Sequence, residues 1–226
     1  MTTRPPFSID EWYHCYNRGF EKSIVYKNEK DYQRFLLLMY LCNGEKRVHL
    51  RESEGWDLHE TLLDPSVERG EYLVEIGSYV LMPNHLHLIL REIRDGGIPL
   101  FMQKLFTGYT MYFNKKYNRT GALFSGTFKS RHISDDRYLK RVVPYIFLNP
   151  LELFEPRWKQ GVGNLTQLER RLISYPYSSM PDFLRKERPE KNIISRSIET
   201  MFDKKPSIAE MLTEAQAYYR EENQFA

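Results

Sequence analysis

Residues 71–91 constrain the fold more than any other part of the chain. EYLVEIGSYVLM (71–82) and HLHLILR (85–91) both read as strands, and only Pro83-Asn84 lies between them. Strands this close can pair only as antiparallel neighbours, because a parallel pair needs a crossover of a dozen or more residues. A hairpin is therefore expected, and with it an antiparallel sheet that needs further strands and a covering layer.

The rest of the chain supplies both. WYHCYN (12–17) reads as an aromatic-rich strand, with Arg18-Gly19 as the turn after it. EKDYQRFLLLMYLC (29–42) reads as a helix, with Asn28 as its cap and Asn43-Gly44 as its stop. Residues 44–70 are polar and lack a clear period, so a loop or an irregular insertion is expected there. Gly96-Gly97 and Pro99 break the chain, and a helix follows over 99–117 with Leu100, Leu105, Tyr109 and Tyr112 among its apolar positions. Residues 118–133 read as a loop with a short extended piece, ALFSGTFKSRHI. A further helix is expected over 134–149, with Ser134 as cap and Asp135 and Asp136 at the positive end of the helix dipole.

Beyond Asn149-Pro150 the pattern is less regular. SYPYSSMPDFL (174–184) reads as a loop and a short turn. Ser207 and Glu210 form a capping box for an amphipathic run to about Glu222. The element order predicts an α+β fold: a small antiparallel sheet with helices packed on one face, in a domain over residues 1–150. Residues 151–226 form a C-terminal extension, partly helical, whose role is left open.

Composition excludes several classes. No run of about 18 apolar residues exists, so no membrane span is expected. The opening MTTRPPFSIDEWYH has no apolar signal core, which makes the cytoplasm the expected compartment. Cys15 and Cys42 have no metal or disulfide spacing and read as buried thiols. Net charge is only +3, but Lys104–Arg141 carries nine basic residues against Asp135 and Asp136. Such a stretch suits a phosphate backbone, or is simply a solvated face.

Two short motifs carry chemistry. In a strand, His85 and His87 project to the same face, which suits two ligands of one metal; two surface histidines would read the same way. In PYIFLNP, Tyr145 and Asn149 lie four apart and share a helix face, with Pro150 ending the helix. A core tyrosine and an Asn cap would leave the same trace. Pro144 precedes Tyr145, so the helix either kinks there or starts anew. His14, His49, His59 and His132 read as structural or surface histidines. The aromatic and basic residues Phe124, Phe128 and Lys129, just before the tyrosine helix, suit contact with DNA.

Together, LMPNHLHLIL, a basic helix, GALFSGTFKSRHI and a helix ending in YIFLNP resemble the IS200-like single-tyrosine transposases, and more narrowly the REP-associated tyrosine transposases. HCYNRGF resembles the start of that family, and the likeness runs from about Trp12 to Pro150, with SYPYSS continuing it. The resemblance implies an HUH-type nuclease with a ferredoxin-like (RRM-like) sheet. It implies metal binding by His85, His87 and the amide of Asn149, a magnesium or manganese ion, and Tyr145 as nucleophile. It implies cleavage and strand transfer of single-stranded DNA at hairpins or palindromic repeats through a phosphotyrosine bond. Arg18 of the RG turn is assigned to DNA, and Lys115, Lys116, Arg119, Phe128, Lys129 and Arg131 are the further DNA candidates. A homodimer is one expectation, since related transposases include dimers. The competing readings are a non-catalytic hairpin-DNA-binding regulator derived from a transposase, and an unrelated metallohydrolase, for which no HExxH-like or Asp-rich motif is present.

Overall fold

The computed structural model describes residues 6–46, 55–158, 163–184 and 186–224; His49 and part of the 44–70 segment lie outside them. The elements run β1 (Trp12–Arg18), α1 (Glu29–Cys42), α2 (Leu58–Leu63), β2 (Val74–Met82), β3 (His85–Glu92), α3 (Gly97–Lys116) and β4 (Lys129–Ile133). They continue with α4 (Asp136–Leu148), α5 (Leu151–Phe154), α6 (Leu165–Ser174), α7 (Met180–Phe183), α8 (Ser197–Thr200) and α9 (Ile208–Gln224). Among the described residues the strands form one antiparallel sheet in the order β2-β3-β1-β4. This is the α+β sheet expected from the sequence, and β1-α1-β2-β3-α3-β4 in that order is the ferredoxin-like arrangement.

The helices lie on both faces, not on one. Tyr13, Cys15, Leu86, Leu88 and Leu90 meet α1 and α3 through Phe35, Leu38, Phe101 and Leu105. Trp12, Val80, Met82 and Ile89 meet α4 and α9 through Val142, Ile146, Met211 and Ala215. The one-face expectation failed because the C-terminal helices have no strand after them to reveal where they dock. Alternation along β2 is reset by a bulge between Ile76 and Ser78, which turns Tyr79 and Leu81 to the α1 side.

Local chemistry explains the boundaries. Asn28 and Asp31 cap α1 reciprocally. The 44–70 segment contains α2, opened by the Asp57 carboxylate on the His59 and Glu60 N–H groups. Helix α3 starts two residues earlier than predicted, because the buried Glu92 carboxylate accepts from the N–H groups of Gly97 (3.0 Å) and Ile98 (2.6 Å). Asp135, not Ser134, caps α4. That helix runs through Pro144 and does not start anew there. The capping box at Ser207 and Glu210 is formed. The exposed edge of β2 is covered by the SYPYSS segment, where Leu81 N–H donates to Tyr177 O at 2.9 Å and Ser179 N–H to Tyr79 O at 3.0 Å. Both cysteines are buried thiols, and among the described residues no helix is long and apolar enough to cross a membrane.

Candidate active site

The α4 face of the sheet changes character along its length. Trp12 and Ile89 make one end apolar. Toward the other end β1 and β3 place His14, Tyr16 and Arg18 alongside Ile89, His87 and His85 in register. Alternation therefore puts His14, Tyr16, Arg18, His85 and His87 on one face, under α4. Gly19 then turns the chain so tightly that a Cβ there would lie 2.1 Å from Ser23 O. The turn is tied to the hairpin by Gly19 N–H on Asn84 O (2.8 Å) and Val25 N–H on Pro83 O (2.8 Å).

Helix α4 brings the second motif over this face. The Tyr145 ring stands nearly perpendicular to His87, with 5.8 Å between centroids, and 6.4 Å from His14. His85 Nε2 lies 3.1 Å from Asn149 Oδ1. Thus His85, His87, Tyr145 and Asn149 converge within one copy of the chain. Behind Tyr145 stands Tyr218 of α9, with ring centroids 4.9 Å apart, and its hydroxyl meets that of Tyr138 at 3.3 Å. The C-terminal helix thereby packs against the back of the tyrosine.

The histidines are held neutral. Burial pushes the imidazole of His14 down to about 3, helped by the Arg131 guanidinium. Burial lowers His87 well below the ordinary histidine range, and the neighbouring His14 and His85 add to the effect. Burial also lowers His85, against the opposing contact with Asn149. Neutral imidazoles offer a lone pair at physiological pH, as a metal ligand must.

The donor set fits a divalent cation. His85 Nδ1 lies 2.7 Å from Asn84 Oδ1, and the Asn84 amide nitrogen donates to Lys22 O at 3.3 Å. The Asn84 oxygen can only accept, so His85 carries its proton on Nδ1. Its Nε2 lone pair then faces the Asn149 oxygen, an arrangement satisfied by a cation between them or by an amide turned to present its nitrogen. Among the described residues no cluster of three or more His, Cys, Asp or Glu side chains suits a metal. An Asn oxygen as third donor lies outside that set.

His14, read from the sequence as a structural or surface histidine, is buried in this cluster. It is only 4% exposed, against 8% for His87, and its Nε2 meets His87 Nδ1 at 2.8 Å. The signal was present: Trp12, His14 and Tyr16 alternate in β1 as His85 and His87 do in β3. Reading it required the register between strands 73 residues apart. His59 and His132 are surface histidines beside Glu190 and Glu11.

The DNA candidates divide. Lys129 and Arg131 share the site's face of β4, opposite Tyr16 and His14, and Arg18 is exposed at the end of β1. Lys115, Lys116 and Arg119 lie at the far end of α3. Lys116 is engaged by the buried Asp31 carboxylate (2.6 Å) and by Tyr112 (2.9 Å). Arg119 donates to Ala122 O (3.2 Å) and stands over the Phe113 ring. Phe124 and Phe128 are buried in the α1/α3 core. They floor an open groove of about 1410 Å³ between α3 and residues 122–130, whose described lining, including Gln103, Thr107, Asn114 and Thr127, carries no carboxylate and a single cation, Lys129. The groove wall is pinned to the RG turn by Phe20 N–H on Leu123 O (2.9 Å) and Ser125 N–H on Arg18 O (2.8 Å).

No family model and no curated protein matches the chain. Among solved structures, a REP-associated tyrosine transposase bound to a REP hairpin is similar over 92% of this chain and 93% of its own, with a TM-score of 0.49 and 13% identity.

Proposed function

We propose that the chain is a metal-dependent nuclease and strand transferase acting on single-stranded DNA through Tyr145. One observation carries the reading. Two motifs about 60 residues apart, neither specific alone, meet at one point, with His85 Nε2 3.1 Å from Asn149 Oδ1 and the Tyr145 ring against His87.

His85, His87 and Asn149 would hold magnesium or manganese. Bound there, the ion would polarise a phosphoryl oxygen and stabilise charge as the phosphate reacts. A tyrosine hydroxyl titrates at about 10 in water, so it is a weak nucleophile unless the phosphate is activated. The Tyr145 oxygen attacks phosphorus, forms a phosphotyrosine bond to the 5′-phosphate and gives up its proton to solvent. The bond to the 3′-oxygen breaks, and that oxygen leaves as a hydroxyl after taking a proton. Because the new ester retains the energy of the broken one, a 3′-hydroxyl can reverse the step and join a strand without ATP. Arg18, Lys129 and Arg131 flank this point and suit the backbone on either side. The groove past the RG turn suits unpaired bases, offering amide and hydroxyl groups without anionic repulsion. Hairpin or palindromic DNA is the substrate form that the sequence resemblance implies.

The test is a denaturing gel of labelled single-stranded hairpin oligonucleotides taken from palindromes flanking the gene, with manganese or EDTA. Wild type is expected to form a manganese-dependent covalent adduct. Tyr145→Phe is expected to lose it and to keep hairpin binding. Adduct formation by Tyr145→Phe would sink the assignment. Tight hairpin binding by wild type without any adduct would favour the regulator reading.

A further inference from the structure

We infer that His14 is a positioning residue that holds His87 with its proton on Nδ1, leaving Nε2 as the nitrogen that binds the cation. The inference rests on the reading of His85, His87 and Asn149 as cation ligands. It assigns a role to a histidine for which neither motif accounts.

The argument is a count of protons. A neutral imidazole carries one N–H, and the 2.8 Å contact between His14 Nε2 and His87 Nδ1 accommodates one proton. If His14 donates, His87 must carry its own proton on Nε2, and neither of its nitrogens keeps a lone pair for a ligand. If His87 donates, His14 Nε2 accepts and His87 Nε2 is free. Only the second arrangement permits metal binding. His85 follows the same plan with a different anchor, since the Asn84 oxygen, 2.7 Å away, holds the proton on its Nδ1. Both histidines thus have Nδ1 fixed by a neighbour and Nε2 left over.

The surroundings make the choice stiff. His14 and His87 are both buried, and their rings are stacked at 5.0 Å with 26° between planes. Tyr16 stacks on His87 at 5.7 Å and lies 5.1 Å from His14. A buried N–H without an acceptor is costly, so removing His14 favours the His87 form with its proton elsewhere. Partners that fix the tautomer and orientation of a ligating histidine typically change metal affinity by about 10–100-fold.

The experiment compares the full chain with His14→Phe, which keeps a ring and loses the acceptor, and His14→Gln, which restores an acceptor. Manganese binding is titrated by electron paramagnetic resonance of the free ion. Long-range proton–nitrogen correlation spectra report the His87 tautomer without metal, and Tm reports folding. The expected result is Nδ1–H at His87 in wild type, loss of that form with about 10–100-fold weaker manganese binding in His14→Phe, and recovery of both in His14→Gln. Manganese affinity in His14→Phe within twofold of wild type would overturn the inference. So would a wild-type His87 protonated on Nε2. If His14→Phe fails to fold, the wild-type tautomer and the His14→Gln titration decide alone. Absence of manganese binding in a wild-type chain with the Nδ1–H tautomer would instead defeat the metal reading, and the tautomer of His14→Phe would still decide what His14 does.

Discussion

The two faces of the sheet are made by the same strands and carry different kinds of residue. Toward α1 and α3 the strands present Tyr13, Cys15, Leu86, Leu88 and Leu90 to an apolar layer. Two buried polar groups on that side, Asp31 and Asn43, are bound several times over. Asp31 accepts from Lys116, Tyr117, Tyr112 and the Lys27 N–H, and Asn43 bridges Leu73 and Val74. Toward α4 the strands present Trp12 and Ile89 at one end and His14, Tyr16, His85 and His87 at the other. Half of that face is core, and half is a cluster of neutral rings beneath a tyrosine. The first face should therefore govern stability and the second activity, and substitutions can separate them.

The largest separation is expected at His85, which is half-buried. His85→Ala should lower manganese-dependent adduct formation by at least about a hundredfold, the scale of losing a positioned electrostatic stabiliser. Stability should change by about 1 kcal/mol or less, since no filled apolar volume is removed. Gel assays and thermal melts on the same preparation would check both. A large drop in Tm would place His85 in the core instead. The mirror experiment is Leu88→Ala, three strand positions along and on the opposite face. It should cost about 2–5 kcal/mol through lost burial and a cavity, with adduct formation per folded molecule unchanged. If that substitution slowed the chemistry at saturating metal and DNA, the faces would be coupled.

The same contrast explains what could be read in advance. The hairpin, α1 with its Asn28 cap, α4 and the Ser207 capping box follow from alternation and capping, which are local, and all are present. His85, His87, Tyr145 and Asn149 were legible because each pair is local, being two apart in a strand or four apart in a helix. The pairing of the pairs came only from the resemblance, since no periodicity says that α4 returns over β3. Long-range contacts stayed hidden for that reason. His14 meets His87 only through the strand register, Tyr218 meets Tyr145 only through the docking of α9, and Glu92 caps α3 across a Gly-Gly break that looked like a plain stop. Phe128 was a DNA candidate for its place just before the tyrosine helix; that place did not reveal that it packs on Phe7 and floors the groove beside α3.

A smaller effect separates the faces by pH. Burial alone would raise the Asp31 carboxyl, but the hydrogen bonds from Lys116, Tyr117, the Lys27 N–H and Tyr112 outweigh it and leave it below the usual range. A folded-state value below the unfolded one means that this carboxylate stabilises the protein at neutral pH. The contribution is complete above the unfolded value of about 4 and is lost as pH falls through the lower folded value. Asp31→Asn should lower stability at pH 7 by about 1–3 kcal/mol and flatten the fall of Tm below about pH 4. Melts of both proteins between pH 3 and 7 would check this. An unchanged acid limb would mean that other carboxylates set it.

The smallest expected effect tests where DNA runs. Each phosphate contact contributes about one unit to the slope of log affinity against log salt. Arg131 stands on the α4 side beside His14 and over the Tyr138 ring, whereas the Lys116 ammonium lies on the Asp31 carboxylate. Arg131→Ala should weaken hairpin binding a few-fold and reduce the slope by about one. Lys116→Ala should lower Tm and leave the slope alone, because a cation already neutralised by a buried carboxylate releases no counterions from DNA. Fluorescence anisotropy at several salt concentrations measures both. Equal slopes for Arg131→Ala and wild type, with a reduced slope for Lys116→Ala, would move the DNA to the end of α3. The α4 face would then hold the reacting phosphate without carrying the strand on either side of it.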